Sequence, residues 1–218
     1  DALGDANCDV RKKVVLTLGT LGDPEAVPLV LARMKEQKCD IRDEAAQALE
    51  KADSVPEQPL IDALSDKNQF VREGAAMVLA RRSSPGVVDA LIAALRDESS
   101  KVRARAAHAL GLAGDARAVS PLVGVLKDAD QAVREEAARA LGALRIREAT
   151  DALVEQLEDT KNNRYVREAA AAALGDTGDP AAVRPLVSSL PDRNPYVREK
   201  AAEALGKWND PSAGEPLR

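Results

Sequence analysis

A chain of 218 residues is long enough for a substantial buried core, and 45% hydrophobic content with only 2% aromatics means that Ala, Leu and Val build it. Those residues favour helices and let them approach closely. A net charge of −5 and a pI near 5.2 exclude a general attraction to nucleic acid or to anionic membranes.

The elements, taken from the start of the chain, form a repeat. Asp1-Ala2-Leu3 reads as the end of a helix whose beginning is missing, equivalent to Ser189-Leu190 near the other end. A first helix then starts at Val10-Arg11, and the Val-Arg or Ile-Arg pair returns at Ile41-Arg42, Val71-Arg72, Val102-Arg103, Val133-Arg134, Val166-Arg167 and Val197-Arg198. The intervals are 31, 30, 31, 31, 33 and 31 residues. A small-residue run follows each pair, as in Ala106-Ala107, Ala109-Leu110 and Gly111, or Ala137-Ala138, Ala140-Leu141 and Gly142. Counting from the Val as offset 0, offsets 0, 4, 5, 7 and 8 share one arc of a helical wheel, while 2, 3, 6 and 10 share the opposite, water-facing arc.

Asn7, Asn68, Ser99, Asp130, Asn163 and Asn194 stand three residues before the Val, where a side-chain oxygen can cap the first amides. The Gly at offset 9 is expected to stop the helix. A second helix opens after it at Asp23-Pro24, Asp179-Pro180 and Asp210-Pro211, and carries Leu29, Leu60, Leu91, Leu122, Leu153 and Leu186 at matching places. Pro28, Pro59, Pro121 and Pro185 should kink this Pro-Leu helix near its start. The turns at Lys51 to Pro56, Arg81 to Gly86 and Arg145 to Glu148 depart from the pattern, and extra residues near Lys161 to Arg164 lengthen one turn; all four read as surface variation.

Each unit is thus a pair of antiparallel helices that cannot cover its own apolar faces, so neighbours must stack. The expected fold is all-α: an α-solenoid of about seven stacked helix pairs, an α-α superhelix, forming one array over residues 1–218 that is cut within a repeat at both ends. Divergence of the copies at their turns argues against an engineered repeat. No stretch reaches the roughly 20 apolar residues that span a bilayer and no signal-peptide pattern is present. A soluble, cytoplasmic protein is expected, with a start at Asp1 that suggests an excised segment. Cys8 and Cys39 occupy equivalent places in neighbouring repeats, and helix spacing of roughly 8–10 Å exceeds the roughly 7 Å Cα limit for a disulfide. Two unpaired thiols are therefore expected.

The run Val-Arg, Ala-Ala, Ala-Leu-Gly, Gly-Asp-Pro, Ala-Val and Pro-Leu, best preserved from Val166 to Leu186, resembles the HEAT-like repeats of phycobilisome lyases and many prokaryotic proteins. The Arg at offset 1 lies inside the apolar arc, where an unpaired charge is costly, so it needs a partner. The resemblance implies a ladder of ion pairs between repeats. Arg11, Arg42, Arg72, Arg103, Arg134, Arg167 and Arg198 supply the cations, and Asp5, Asp66, Asp97, Asp128, Asp192 and the displaced Asp159 the acids, with Glu36 substituting in the second copy.

Nucleophilic catalysis of the Ser-His or Cys-His kind has one histidine to draw on, His108, at an exposed offset. Two cysteines and one histidine fall short of a zinc set, so no metal is expected. Deoxyhypusine hydroxylases, another HEAT-like family, hold iron with His-Glu pairs, and here Ala109 follows His108. The glycines fall at repeat spacing and form no phosphate cradle. No catalytic residue and no cofactor is therefore expected.

The favoured function is a protein-protein interaction scaffold or adaptor, because in HEAT-like solenoids the helix that starts at Val-Arg lines the concave face. Its exposed offsets vary while its core offsets repeat. Residues 72 to 147 hold 13 Lys and Arg against 9 Asp and Glu, whereas the flanks hold 18 against 27. A protein or peptide partner with an acidic or amphipathic segment is accordingly expected at Met77, Arg81, Arg105, His108, Glu136 and Arg139. The alternative is a bilin lyase subunit or other chromophore-handling protein, against which the scarcity of aromatics counts.

Overall fold

The computed structural model describes residues 2–21, 23, 25–35, 41–51 and 55–207, and among these every regular element is helical. The α-helices are α1 (Cys8–Leu21), α2 (Val27–Arg33), α3 (Arg42–Lys51), α4 (Glu57–Ala63), α5 (Gln69–Leu79), α6 (Pro85–Ala94), α7 (Ser100–Ala113), α8 (Val119–Val125), α9 (Gln131–Leu144), α10 (Thr150–Glu158), α11 (Arg164–Thr177), α12 (Val183–Ser188) and α13 (Pro195–Gly206). Odd-numbered helices are the Val-Arg helices and even-numbered ones their Pro-Leu partners. The fold is an α-solenoid. Its contacts group into two compact units, Asp1–Ala109 and Leu110–Arg218, divided inside α7. In the first unit α1, α3 and α5 pack in succession, beside a row of α2, α4 and α6. In the second, α9, α11 and α13 form one row with α8, α10 and α12 against it.

Caps set the helix starts. The side chains of Asn68, Asp130, Asn163 and Asn194 accept from the amides of Phe70, Ala132, Val166 and Tyr196, and Asn7 accepts from Asp9. Each cap satisfies an amide that has no partner within its own helix. The prolines act differently from the expected kink. In three repeats the chain enters through a short 3-10 turn, at Ala116–Ala118, Arg147–Ala149 and Pro180–Ala182, and an α-helix follows. Pro59, Pro121 and Pro185 then fall in the first turn of α4, α8 and α12, where a missing N–H breaks no helical bond.

Leu60, Leu91, Leu122, Leu153 and Leu186 are buried, but Leu29 is 50% exposed. The Pro28-Leu29 pair sits one residue earlier in α2 than Pro59-Leu60 does in α4, which rotates it by roughly 100°. Val27, Val30 and Leu31 fill the core in its place.

Of the offset-9 glycines only Gly206 stands at its helix end, where α13 finishes; the other four do not stop their helices as expected. Helices α1, α7, α9 and α11 run on past Gly19, Gly111, Gly142 and Gly175. Stops occur at offset 12, where Gly114 and Gly178 take φ of 71° and 63° and Arg145 takes 54°. These four glycines instead admit the neighbouring Val-Arg helix. A Cβ on Gly142 would lie 2.8 Å from the Cα of Ala173, and one on Gly175 2.8 Å from that of Ala204. Gly111 meets Ala140, and Gly19 meets Ala48, in the same way. Each alanine is at offset 7 of the next repeat.

The expectation of unpaired thiols is overturned. Cys8 is disulfide-bonded, and Cys39 lies outside the described residues. Axial spacing was the wrong measure, because Cys8 opens α1 and the distance between helix axes does not bound that between residues at helix ends. Glu36, Pro24 and the segment from Asp210 to Arg218 likewise fall outside the described residues.

Candidate functional site

The junctions between repeats are polar and specific. Arg72, only 6% exposed, donates from Nε and Nη2 to both carboxylate oxygens of Asp97 at 2.7 and 3.0 Å. Its Nη2 also reaches Glu98 at 2.9 Å, and its Nη1 donates to the Asp66 carbonyl at 2.7 Å. The Asp97 carboxylate raises the affinity of the guanidinium for its proton above the ordinary arginine value. Arg167 binds both oxygens of Asp192 from Nη1 and Nη2, and its Nε donates to the Leu157 carbonyl. The carbonyl half of the pattern recurs: Arg11 donates to Asp5, Arg103 to Asp97, Arg134 to Asp128 and Arg198 to Asp192, each six residues back. These aspartates also fold their own turns, with Asp66, Asp97, Asp128 and Asp192 accepting from the amide two residues on.

Two junctions use other partners than the sequence suggests. Arg42 pairs with Glu73 at 3.0 Å, while Asp66 lies 3.5 Å from Lys35. Arg134 donates to the Asn162 side chain at 3.0 Å. Asp159 is exposed and caps the Lys161 amide, because the lengthened turn carries it away and delivers Asn162 to its place.

Arg167 holds the Asp192 carboxyl below the usual carboxylate range, helped by the Asn194 amide and opposed by burial. A depressed folded-state pKa contributes stability that is full above the unfolded value of about 3.9 and lost as pH falls through the lower folded value. Asp192→Asn should therefore be less stable than the parent at neutral pH. In urea melts the gap should narrow below about pH 4; a constant gap down to the acid limit would show that Asp192 is not held by charge.

Arg105, His108 and Arg139 are exposed on their Val-Arg helices, and Glu136 and Met77 are half-buried. Arg81 is exposed just beyond α5 and pairs with Glu50. Arg105 lies 3.8 Å from Glu73, and Arg139 donates to Glu135 at 2.8 Å. Offsets 2 and 3, expected on the water-facing arc, are buried at Glu73, Gly74 and Ala169. Other repeats cover Glu73 and Gly74: Gly74 lies against Met34 and Glu73 accepts from Arg42, both of earlier repeats, and the Lys12 to Glu44 bond at 2.9 Å joins the same faces of α1 and α3.

The sequence did not disclose a groove of about 300 Å³ in the second unit, formed by α9, α11 and α13. Gly142, Ala143, Ala169, Ala172 and Ala173 floor it, and Arg139, Glu168, Asp176 and Lys200 rim it. Lys200 donates to Glu203 at 2.6 Å and Lys207 to Asp176 at 2.7 Å, so with Arg139 on Glu135 the rim cations are answered from within the chain. Oε1 of Glu168 is buried without a hydrogen-bond partner among the described residues. The groove can therefore take an apolar surface on its floor and a hydrogen-bond donor at Glu168.

Helix pairs repeated about every 31 residues, with arginines of one repeat bound by carboxylates of the next, define a helical-repeat protein. The model of HEAT repeats matches residues 1–59, 56–129, 88–171 and 150–218, and the chain belongs to the HEAT repeat family. It is similar to the CpcE–CpcF complex of phycocyanin lyase from Nostoc sp. PCC7120, at 31% identity over 75% of this chain and 69% of that one, with a TM-score of 0.67. Escherichia coli YibA is 26% identical over 99% of this chain and 82% of its own, with a TM-score of 0.70. Human deoxyhypusine hydroxylase in complex with glycerol is 27% identical over 94% and 81%, with a TM-score of 0.51. Comparison with curated proteins finds no match. No helix among the described residues is long and apolar enough to cross a membrane.

Proposed function

We propose that this HEAT-repeat chain is a protein-binding scaffold and not a catalyst, and that it receives an amphipathic segment of a partner on the exposed face of its Val-Arg helices, the face expected to be concave. The observation that carries this reading is the groove of α9, α11 and α13, an alanine floor inside a charged rim with one carboxylate oxygen unsatisfied. Apolar residues of a partner would bury on the floor, and a donor would satisfy Glu168. Glu136 and Arg139 belong to this surface in the second unit. Met77, Arg81, Arg105 and His108 are the corresponding outward residues of the first.

Ala172 is half-buried at the groove floor, so Ala172→Arg fills the groove without entering the core. Ser188, exposed at the end of α12, provides a control on the Pro-Leu row through Ser188→Arg. Proteins captured on the immobilised parent and both variants would be quantified by mass spectrometry. At least one protein retained by the parent and by Ser188→Arg should fall about tenfold or more on Ala172→Arg. Identical captured sets on parent and groove variant would reject this surface.

The 31% identity to the phycocyanin lyase complex favours a second reading, a bilin lyase subunit or other chromophore-handling protein. Its test is visible absorbance of the purified protein, or its appearance on mixing with free bilin.

A further inference from the structure

The chain has only two tyrosines, and both are exposed, Tyr165 by 45% and Tyr196 by 48%. They stand directly before the Val of neighbouring repeats, at the starts of α11 and α13, and the Arg164 guanidinium lies between them. Its central carbon is 4.5 Å from the Tyr165 ring centroid and 4.6 Å from that of Tyr196. Nη2 donates to the Tyr165 hydroxyl at 2.7 Å. The guanidinium is thus held by both tyrosines, through their rings and their hydroxyls, and its other N–H groups remain available to an acceptor.

A comparison within the same chain shows what this stack lacks. Arg42 lies 4.7 Å over Phe70, which precedes its Val as the two tyrosines do, but Arg42 is the offset-1 arginine of its own repeat and also has Glu73 at 3.0 Å. Arg164 has no carboxylate among its contacts with the described residues. The acids nearest in sequence are engaged elsewhere: Asp159 accepts from the Lys161 amide, and Asp192 holds Arg167 and the Asn194 amide. Lys161 and Arg193, each three residues ahead of a stack member, are exposed. Arg164 is the first residue of α11 after its cap Asn163, a place held by Gln69, Gln131 and Pro195 in other repeats, so the stack depends on which residue stands there and not on the longer turn before it.

We propose that Arg164, Tyr165 and Tyr196 form a docking point for an acidic segment of a protein partner. A partner carboxylate would take two N–H groups of Arg164 at its edge, and an adjoining apolar side chain would lie along the tyrosine rings. Exposed Tyr and Arg held in one geometry are the residue types that dominate protein interfaces, because little entropy is lost when they are covered. Single-stranded nucleic acid also uses aromatics and cations, but it needs a basic track along its backbone, and this chain carries a net charge of −5. This inference deepens the scaffold reading on a surface other than the groove.

The test is fluorescence anisotropy of a short labelled peptide of alternating Glu and Leu, beside the same peptide with Lys for Glu and a short oligo-dT strand. The acidic peptide should bind saturably and weaken as salt rises. Arg164→Gln and Tyr196→Ala should each weaken it by about tenfold or more, and Arg164→Lys should not restore it, since an ammonium can neither stack nor bind in two places. Ala172→Arg should leave it unchanged, so that failure of the groove reading and failure of this one are read separately. The proposal is overturned if the acidic peptide does not saturate, if Arg164→Gln binds it as well as the parent, or if only oligo-dT binds in a way that needs Arg164.

Discussion

Arg72→Ala should destabilise the protein by about 3–5 kcal/mol, because it strands a buried acid without its counter-ion. The Arg72 side chain is 7% exposed and that of Asp97 10%, so neither charge is answered by water. Removing the guanidinium leaves Asp97 with one inward bond, from the Ser99 amide, and leaves the Asp66 carbonyl without its Nη1 donor. Arg105→Ala is the control. Arg105 is 47% exposed, and its acid, Glu73, keeps Arg42, so the cost should be about 0.5 kcal/mol or less. Urea melts of both variants decide the matter. Equal losses would mean that the Arg72 junction contributes no more than a surface pair.

Gly142→Ala should cost about 1–3 kcal/mol, although alanine is the better helix former. The new methyl would sit 2.8 Å from the Ala173 Cα and 2.9 Å from its Cβ, and a backbone atom cannot swing aside as a long side chain can. Helices α9 and α11 would have to separate, loosening the rows on either side. Gly124 in α8 has nothing within 4 Å of an added Cβ. Gly124→Ala should therefore be neutral or stabilise by up to about 1 kcal/mol through reduced freedom of the unfolded chain. If both substitutions stabilise, the close approach of α9 and α11 is not real.

These two sites show what the sequence could and could not disclose. The helix pairs were legible because Val, Ala-Ala and Ala-Leu return in register, and stacking follows from an apolar arc that one pair cannot cover. The offset-9 glycines misled because a helix stop and a close helix contact both call for a missing Cβ. The distinguishing signal was Ala140, Ala173 and Ala204, the small residues two positions earlier in the following copy. The Arg72 to Asp97 and Arg167 to Asp192 bonds follow the spacing of their acids, whereas Glu73 and Asn162 were hidden. Glu73 was assigned to water by a wheel that ignored the neighbouring repeat. Asn162 depends on where a lengthened turn delivers it.

The candidate binding surfaces were less legible than the core. Charge counting along residues 72 to 147 marked Arg81, Arg105 and Arg139 as available cations, yet Glu50, Glu73 and Glu135 lie against them. Those acids are near only in the folded chain, so a sum along the sequence overstated the basic character. The tyrosine and arginine stack had a visible sign, since aromatics are scarce and Phe70, Tyr165 and Tyr196 all precede the Val-Arg pair. Its significance depends on Arg164 lacking an acid, which only the fold reveals.

The measurement closest to the central claim is amide hydrogen exchange on the chain alone and with a captured partner bound. Binding should add protection on α9, α11 and α13 around Glu168 and Ala172, with α10 and α12 unchanged. Protection confined to α10 and α12, with none on the Val-Arg helices, would contradict that claim.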